Sequence, residues 1–192
     1  MPSTRSQKHQ GLFEKQELLD EEGIRSALAR ITQDILESQL EARSLVLVGI
    51  RTGGVHLAER LRRLIVERVE FDVPLGVMDI TLYRDDVFKD HGQPVVGTTE
   101  LPCSIEGRVI ILVDDVLFTG RTTRAALVEL MDYGRPEMVK LAVLVDRGHR
   151  ELPIQPDYAG LTVKTTREQL VTVMLRELGE PDRVVLRERA RP

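Results

Sequence analysis

Val109 to Thr123 reads VIILVDDVLFTGRTT, and the fold turns on how this stretch is read. Val109 to Val113 is an unbroken, mostly β-branched apolar run, the pattern of a parallel strand buried on both faces. Asp114 and Asp115 stand at its carboxyl end, and Val116, Leu117 and Phe118 then lead into Thr119-Gly120-Arg121-Thr122-Thr123. From about Thr122 the spacing of Ala125, Ala126, Leu127, Leu130 and Met131 predicts a helix. Tyr133 closes it, Gly134 suits its C-cap, and Pro136 cannot continue it.

A strand, a glycine turn with hydroxyl side chains and a helix start make an anion site. Gly120 lets backbone approach a ligand, and the unpaired amides of a helix start point toward negative charge. The hydroxyls of Thr119, Thr122 and Thr123 add donors. Two acids beside a phosphate would repel it unless they face something else, and ribose hydroxyls or a magnesium ion fit that role. The stretch therefore asks for a sugar phosphate. No Walker lysine follows a glycine loop, and no G-x-G-x-x-G opens a helix.

This acid pair followed by Thr-Gly-Arg-Thr resembles the phosphoribosyl pyrophosphate (PRPP) signature of type I phosphoribosyltransferases. The resemblance implies an α/β fold: a central, mostly parallel sheet flanked by helices, a flexible flap and a small base-binding hood. It also implies Mg2+ as cofactor, at Asp114 and Asp115 directly or through ribose hydroxyls or water.

Outward from this centre, Leu45 to Ile50 (LVLVGI) is a second buried strand, ending in Arg51-Thr52-Gly53-Gly54 before another helical pattern. Two such turns at the carboxyl ends of parallel strands fit a ligand phosphorylated at both ends. A plain tight turn also explains RTGG in isolation; beside the acid pair, these residues are the candidate pyrophosphate loop. His56, just inside the helix, reads as packed or surface. Upstream, Asp20 is a suitable N-cap for a helix to about Gln39, with Ile24, Leu28, Ile31 and Ile35 on one face. Residues 1–17 read as a loose arm before one domain over 18–192.

Val73 to Leu82 reads as a third strand, followed by Tyr83-Arg84-Asp85-Asp86 and a long polar connection to Cys103. A connection of that length is often functional. The expected element over 83–103 is a flap that delivers Arg84 to the pyrophosphate; Asp85 and Asp86 also read as surface charges. Met138 to Val145 is a further buried strand, and strands separated by helices imply a parallel sheet. After Pro153 come a loop and a short strand, then a terminal antiparallel pair at Leu170–Leu175 and Val184–Leu186.

DITLYRDD, VDDVLFTGRT and LAVLVDRGHRELPI narrow the resemblance to pyrimidine operon attenuation proteins that also act as uracil phosphoribosyltransferases. The likeness runs from about Leu19 to Tyr158. It implies conversion of uracil and PRPP to UMP and pyrophosphate, with Asp114, Asp115 and Arg84 as catalytic residues. Thr119 to Thr123 would hold the 5′-phosphate, and Arg147, Val163 and Thr165 would line the base pocket within a hood over 146–192. It further implies a homo-oligomer, UMP as product or effector, and pyr leader RNA as a partner.

Two departures stand out. The relatives read Thr-Arg-Gly where this chain has Arg51-Thr52-Gly53, so the arginine stands on the other side of the threonine. On the surface tied to RNA, Ala29, Gln33, Gln155 and Leu161 replace polar or basic groups, and Arg150 is the one kept. Phosphate contacts by Lys and Arg carry most RNA affinity. An active enzyme with weak RNA control is therefore the favoured reading. A nucleotide-sensing RNA attenuator is the alternative, and a purine phosphoribosyltransferase is third.

Composition agrees with an enzyme. The 192 residues are 42% apolar and 30% charged, with net charge −4, which argues against nucleic-acid binding by bulk charge. No apolar run reaches membrane-spanning length, and MPSTRSQKHQ lacks the apolar core of a secretory signal. Cys103 is the one cysteine, so no internal disulfide can form, and a cytoplasmic location is expected.

Overall fold

The computed structural model describes residues 12–38, 42–69, 71–80 and 98–189. Its centre is a five-stranded parallel sheet in the order β3-β2-β4-β5-β6, formed by Leu75–Met78, Leu45–Ile50, Val109–Leu117, Met138–Asp146 and Tyr158–Thr162. Helices α1 (Glu21–Glu37) and α2 (Gly53–Val69) cover one face, and α3 (Arg121–Asp132) covers the other. The expected α/β architecture, a central parallel sheet flanked by helices, is present.

The alternation along β4 shows why its sequence lacks polar breaks. Ile111 and Val113 join Leu28, Ile31, Leu57 and Leu61 in the core under α1 and α2. Ile110 and Leu112 join Ala125, Ala126 and Leu130 under α3. Each fully buried Leu or Ile contributes about 1.5–3 kcal/mol of transfer free energy, so a polar residue at any of these positions would break the layer. At the start of α1, the Asp20 carboxylate accepts from Gly23 N at 2.7 Å, a cap worth about 1 kcal/mol.

A second sheet holds β1 (Leu12–Leu19), β8 (Arg183–Arg189) and β7 (Leu170–Met174), all antiparallel. The β7–β8 pair matches the terminal hairpin expected from sequence. The loose arm expected over 1–17 is corrected across 12–17, which are strand. LFEKQELL reads as solvated because its partner lies at the far end of the chain. Arg183 pairs with Glu14 at 2.9 Å, and Lys15 with Glu188 at 2.8 Å. Residues 1–11 lie outside the described residues.

Most of the expected flap, 83–97 with Arg84, Asp85 and Asp86, also lies outside the described residues. Its far end returns at Glu100, which exchanges backbone hydrogen bonds with Val77 at 2.8 Å each. Thr99 accepts from Asp79 N at 3.1 Å and donates to Glu129, tying this end to α3. No helix among the described residues is long and apolar enough to cross a membrane.

Candidate active site

The carboxyl ends of the neighbouring strands β2, β4 and β5 carry three loops: the turn after β2 packs on β4 itself, and the loops after β4 and β5 touch each other. Strand β4 runs four residues past its apolar core, so Asp114 and Asp115 lie inside the strand, where sequence placed them after it. Successive strand residues point to opposite faces, so the two carboxylates leave β4 on different sides. Asp114 is 7% exposed, and Asp115 is half-buried. Each carboxylate accepts from the next residue's amide, at 2.9 and 2.8 Å.

Asp115 faces the loop after β2. Gly53 and Gly54 open α2 and are buried, and a Cβ on Gly53 would lie 2.4 Å from Asp115 Oδ2. A Cβ on Gly54 would lie 2.3 Å from the Val113 carbonyl oxygen. The glycines therefore let this helix start sit directly on β4. Before them, the Arg51–Thr52 peptide is cis, both residues are exposed, and Arg51 Nε stands 3.7 Å from the buried carboxylate of Asp79. Arg51 thus leans toward the end of β3. His56 is half-buried in α2.

The loop after β4 turns at Gly120, whose φ of +90° suits a residue without a Cβ. Gly120 is the N-cap of α3 and supplies no side-chain cap, so a bound anion can serve the amides of the first turn. Thr119 and Thr122 are half-buried at this turn. Thr123 is turned inward instead, 2% exposed, its hydroxyl without a hydrogen-bond partner. Its hydroxyl is therefore not offered at the turn, and of Thr123 only the backbone amide is available to a ligand there. Arg121 reaches sideways to Glu151, Nε to Oε2 at 2.9 Å, and holds that carboxyl below its usual range.

The third loop follows β5. Arg147 is 4% exposed and lies across the Phe118 ring, with Cζ 4.0 Å from the centroid. Burial pushes its guanidinium below its ordinary value, and a cation–π contact of this kind adds about 1–2 kcal/mol. Arg147 Nη2 donates to the Thr166 carbonyl at 2.8 Å, and Nε to Thr165 Oγ1 at 3.3 Å. Val163 N donates to the Asp146 carbonyl at 2.9 Å, so the segment carrying Val163 and Thr165 is pinned beside Arg147.

Sequence reasoning missed two members of this cluster. Phe118 reads only as part of an apolar step, yet its ring is the platform under Arg147. His149 meets that ring edge-on at 5.8 Å and places Nε2 2.7 Å from the Thr165 carbonyl oxygen. Its φ of +62° is left-handed, a strain of about 1–3 kcal/mol that the surrounding bonds must hold. The signal available was the aromatic just ahead of a phosphate turn. Arg150, the RNA candidate, is turned inward, its side chain 12% exposed and paired with Asp146 at 2.6 Å.

The residues present fit a magnesium ion held by few protein ligands. No group of three or more His, Cys, Asp or Glu side chains forms a metal cage among the described residues. Mg2+ prefers one or two carboxylates completed by phosphate oxygens and water, which Asp114 and Asp115 can provide.

Comparison with known proteins agrees with this geometry. Residues 14–176 match the phosphoribosyl transferase domain family. The bifunctional protein PyrR of Pelotomaculum thermopropionicum is 52% identical over 177 residues, covering 92% of this chain and 98% of that protein. The bifunctional protein PyrR of Alkaliphilus metalliredigens is 53% identical over 170 residues, covering 88% and 93%. Among solved structures, a hypoxanthine phosphoribosyl transferase of Trypanosoma cruzi aligns with a TM-score of 0.69 at 21% identity, covering 91% of each chain. A Staphylococcus aureus hypoxanthine phosphoribosyltransferase aligns at 0.67 and 21%, covering 96% of each. At that identity the structural likeness speaks for the fold alone. The turns around Asp115, the anion-ready start of α3 and the relatives at half identity over nearly the whole chain have one explanation: this chain belongs to the phosphoribosyltransferase family and, within it, to the bifunctional PyrR proteins.

Proposed function

We propose that the chain converts uracil and PRPP to UMP and pyrophosphate. The observation that carries this reading is the turn after β2 seated on Asp115 of β4, with the Arg147 guanidinium stacked on Phe118 just past the end of the same strand. A diphosphate on one side, a ribose over the acids, a monophosphate at the start of α3 and a flat base near Arg147 fit that order.

Carbon 1 of the ribose gains cationic character as pyrophosphate leaves, so the site must stabilise charge and keep water out. Asp114 and Asp115 take the ribose hydroxyls and any metal. Mg2+, when bound, neutralises charge on the departing pyrophosphate. The Thr52, Gly53 and Gly54 turn and its helix start receive pyrophosphate, with Arg51 near the edge of that site. The turn from Thr119 to Thr123 anchors the 5′-phosphate, with Arg121 bracing it against the neighbouring loop. Arg84 and closure of the flap complete this reading, although both lie outside the described residues.

Leader-RNA binding is a second role that the relatives' bifunctional name brings to this reading. Four cations near α1 and the third loop are engaged within the chain. Arg25 pairs with Glu22, Arg30 donates to the Ala159 and Gly160 carbonyls, Arg147 is buried, and Arg150 pairs with Asp146. Ala29, Gln33, Gln155 and Leu161 add no charge. We therefore place catalysis first and RNA control second, in a cytoplasmic homo-oligomer.

Uracil-dependent release of pyrophosphate from PRPP with Mg2+, repeated with hypoxanthine and orotate, tests the reading. Turnover with uracil alone is expected. Turnover with hypoxanthine instead would move the base pocket to the purine type. No turnover with any base, with tight UMP binding, would favour the sensor, and leader-RNA affinity against salt would then decide.

A further inference from the structure

Arg150 has an environment that neither a surface cation nor an RNA contact requires. Its Nε donates to the Ile154 carbonyl at 2.8 Å, and its Nη1 to the carbonyls of Phe118 at 2.9 Å and Gly148 at 3.2 Å. Its Nη2 pairs with Asp146 Oδ2 at 2.6 Å, while Asp146 Oδ1 accepts from Gly148 N at 2.9 Å. Four of the five guanidinium donors are thus engaged, and the charge is balanced. The acceptors come from two different loops: Phe118 leads into the phosphate turn, while Gly148 and Ile154 belong to the loop after β5.

The same two loops meet elsewhere. Glu151 N donates to the Thr119 carbonyl at 2.9 Å, and a Cβ on Gly120 would rest 3.3 Å from Ile154 Cβ. The 5′-phosphate turn therefore lies on the segment that carries Arg147 and His149. We infer that Arg150 is a positioning residue that locks the phosphate turn and the nucleobase loop to each other, so that both substrates need it. This rests on the uracil and PRPP reading above.

The fork is what matters. Lysine keeps the charge but brings one nitrogen, and it cannot serve acceptors that Arg150 reaches from three nitrogens. A contact to RNA phosphate would respond to the charge instead, and lysine would restore it.

The test is steady-state kinetics of the full chain carrying Arg150→Gln, Arg150→Lys or Asp146→Asn, with thermal melting beside it. Arg150→Gln is expected to raise KM for PRPP and for uracil, each by about tenfold, with kcat changed less. Arg150→Lys is expected to show the same defect in both. Lysine restoring both constants, or glutamine moving neither or only one, overturns the inference. If Arg150→Gln does not fold, Asp146→Asn removes one acceptor and must raise both constants; unchanged constants would sink the idea. If the wild-type chain turns over no uracil, the functional reading has failed by itself. Calorimetric binding of PRPP and of UMP to wild type and Arg150→Lys then decides the inference: weaker binding of both supports it, and unchanged binding of either overturns it.

Discussion

A Cβ on Gly53 would sit 2.4 Å from Asp115 Oδ2, so the acid pair and the turn after β2 share one space. No ordinary contact is that short, and either the carboxylate or the helix start must move. Gly53→Ala is expected to displace Asp115 and lower turnover by about a hundredfold, with melting shifted little, since alanine also favours the helix by up to about 1 kcal/mol. Gly54→Ala differs in kind. Its Cβ meets the Val113 carbonyl at 2.3 Å, and strand backbone cannot swing aside. That variant should lose about 2–3 kcal/mol of stability. Kinetics and melts on both variants check the contrast, and a fully active Gly53→Ala would refute it.

Asp115→Asn keeps shape and removes charge. The carboxylate already accepts from Val116 N, and the amide oxygen can keep that bond, so the fold should persist. Turnover is expected to fall by well over tenfold, because charge opposite the developing cation is lost. Near-normal turnover in a folded variant would remove Asp115 from the mechanism.

The legible parts of the chain are those written in local periodicity. LVLVGI and the LAVLV part of β5 carry their burial on both faces in their composition, and Asp20 announces α1. The acid pair and the Gly120 turn are contiguous, so the strand, turn and helix start that carry them are legible from the order of residues alone. Strand β1 is different, since LFEKQELL becomes a strand only when Arg183 to Arg189 arrives beside it. Phe118 and His149 were hidden for the same reason: an aromatic platform for Arg147 depends on how two loops cross. Arg150 shows the reverse error, for a basic residue in a polar run reads as exposed until the carbonyls around it are seen.

Arg147→Ala should act chiefly on the base. Removing the guanidinium strips the Phe118 face and frees the segment that Thr165 and Thr166 anchor. KM for uracil is expected to rise by about tenfold or more, with a smaller rise for PRPP. Arg147→Lys should restore little, since a compact ammonium cannot lie flat on the ring while reaching the Thr166 carbonyl. An unchanged uracil KM would place the base elsewhere.

Far from the site, Arg60 on α2 joins the sheet of β1, β7 and β8 to the main body. Its fork meets Glu177 at 2.6 and 2.8 Å and both oxygens of Asp182 at 2.8 Å. The Arg60 bonds hold Glu177 below its ordinary range against the opposing effect of burial. Burial would push Asp182 up, but Arg60 and the Arg176 amide outweigh it and the net direction is down. Lowered carboxylates add stability that is complete above their unfolded values, about pH 4, and lost as pH falls through the folded ones. Arg60→Ala leaves Asp182 half-compensated at 5% side-chain exposure and should cost about 2 kcal/mol near neutral pH, discounted for partial exposure. That is a drop of about 4–8 °C in melting temperature for a domain of this size. The gap between wild type and variant should hold constant down to about pH 5 and close as acid protonates the pair. Melting curves across the acid range read it directly, and a gap that did not narrow at all between about pH 5 and pH 3 would mean that packing of the Arg60 stem, not its charge, holds the two sheets together.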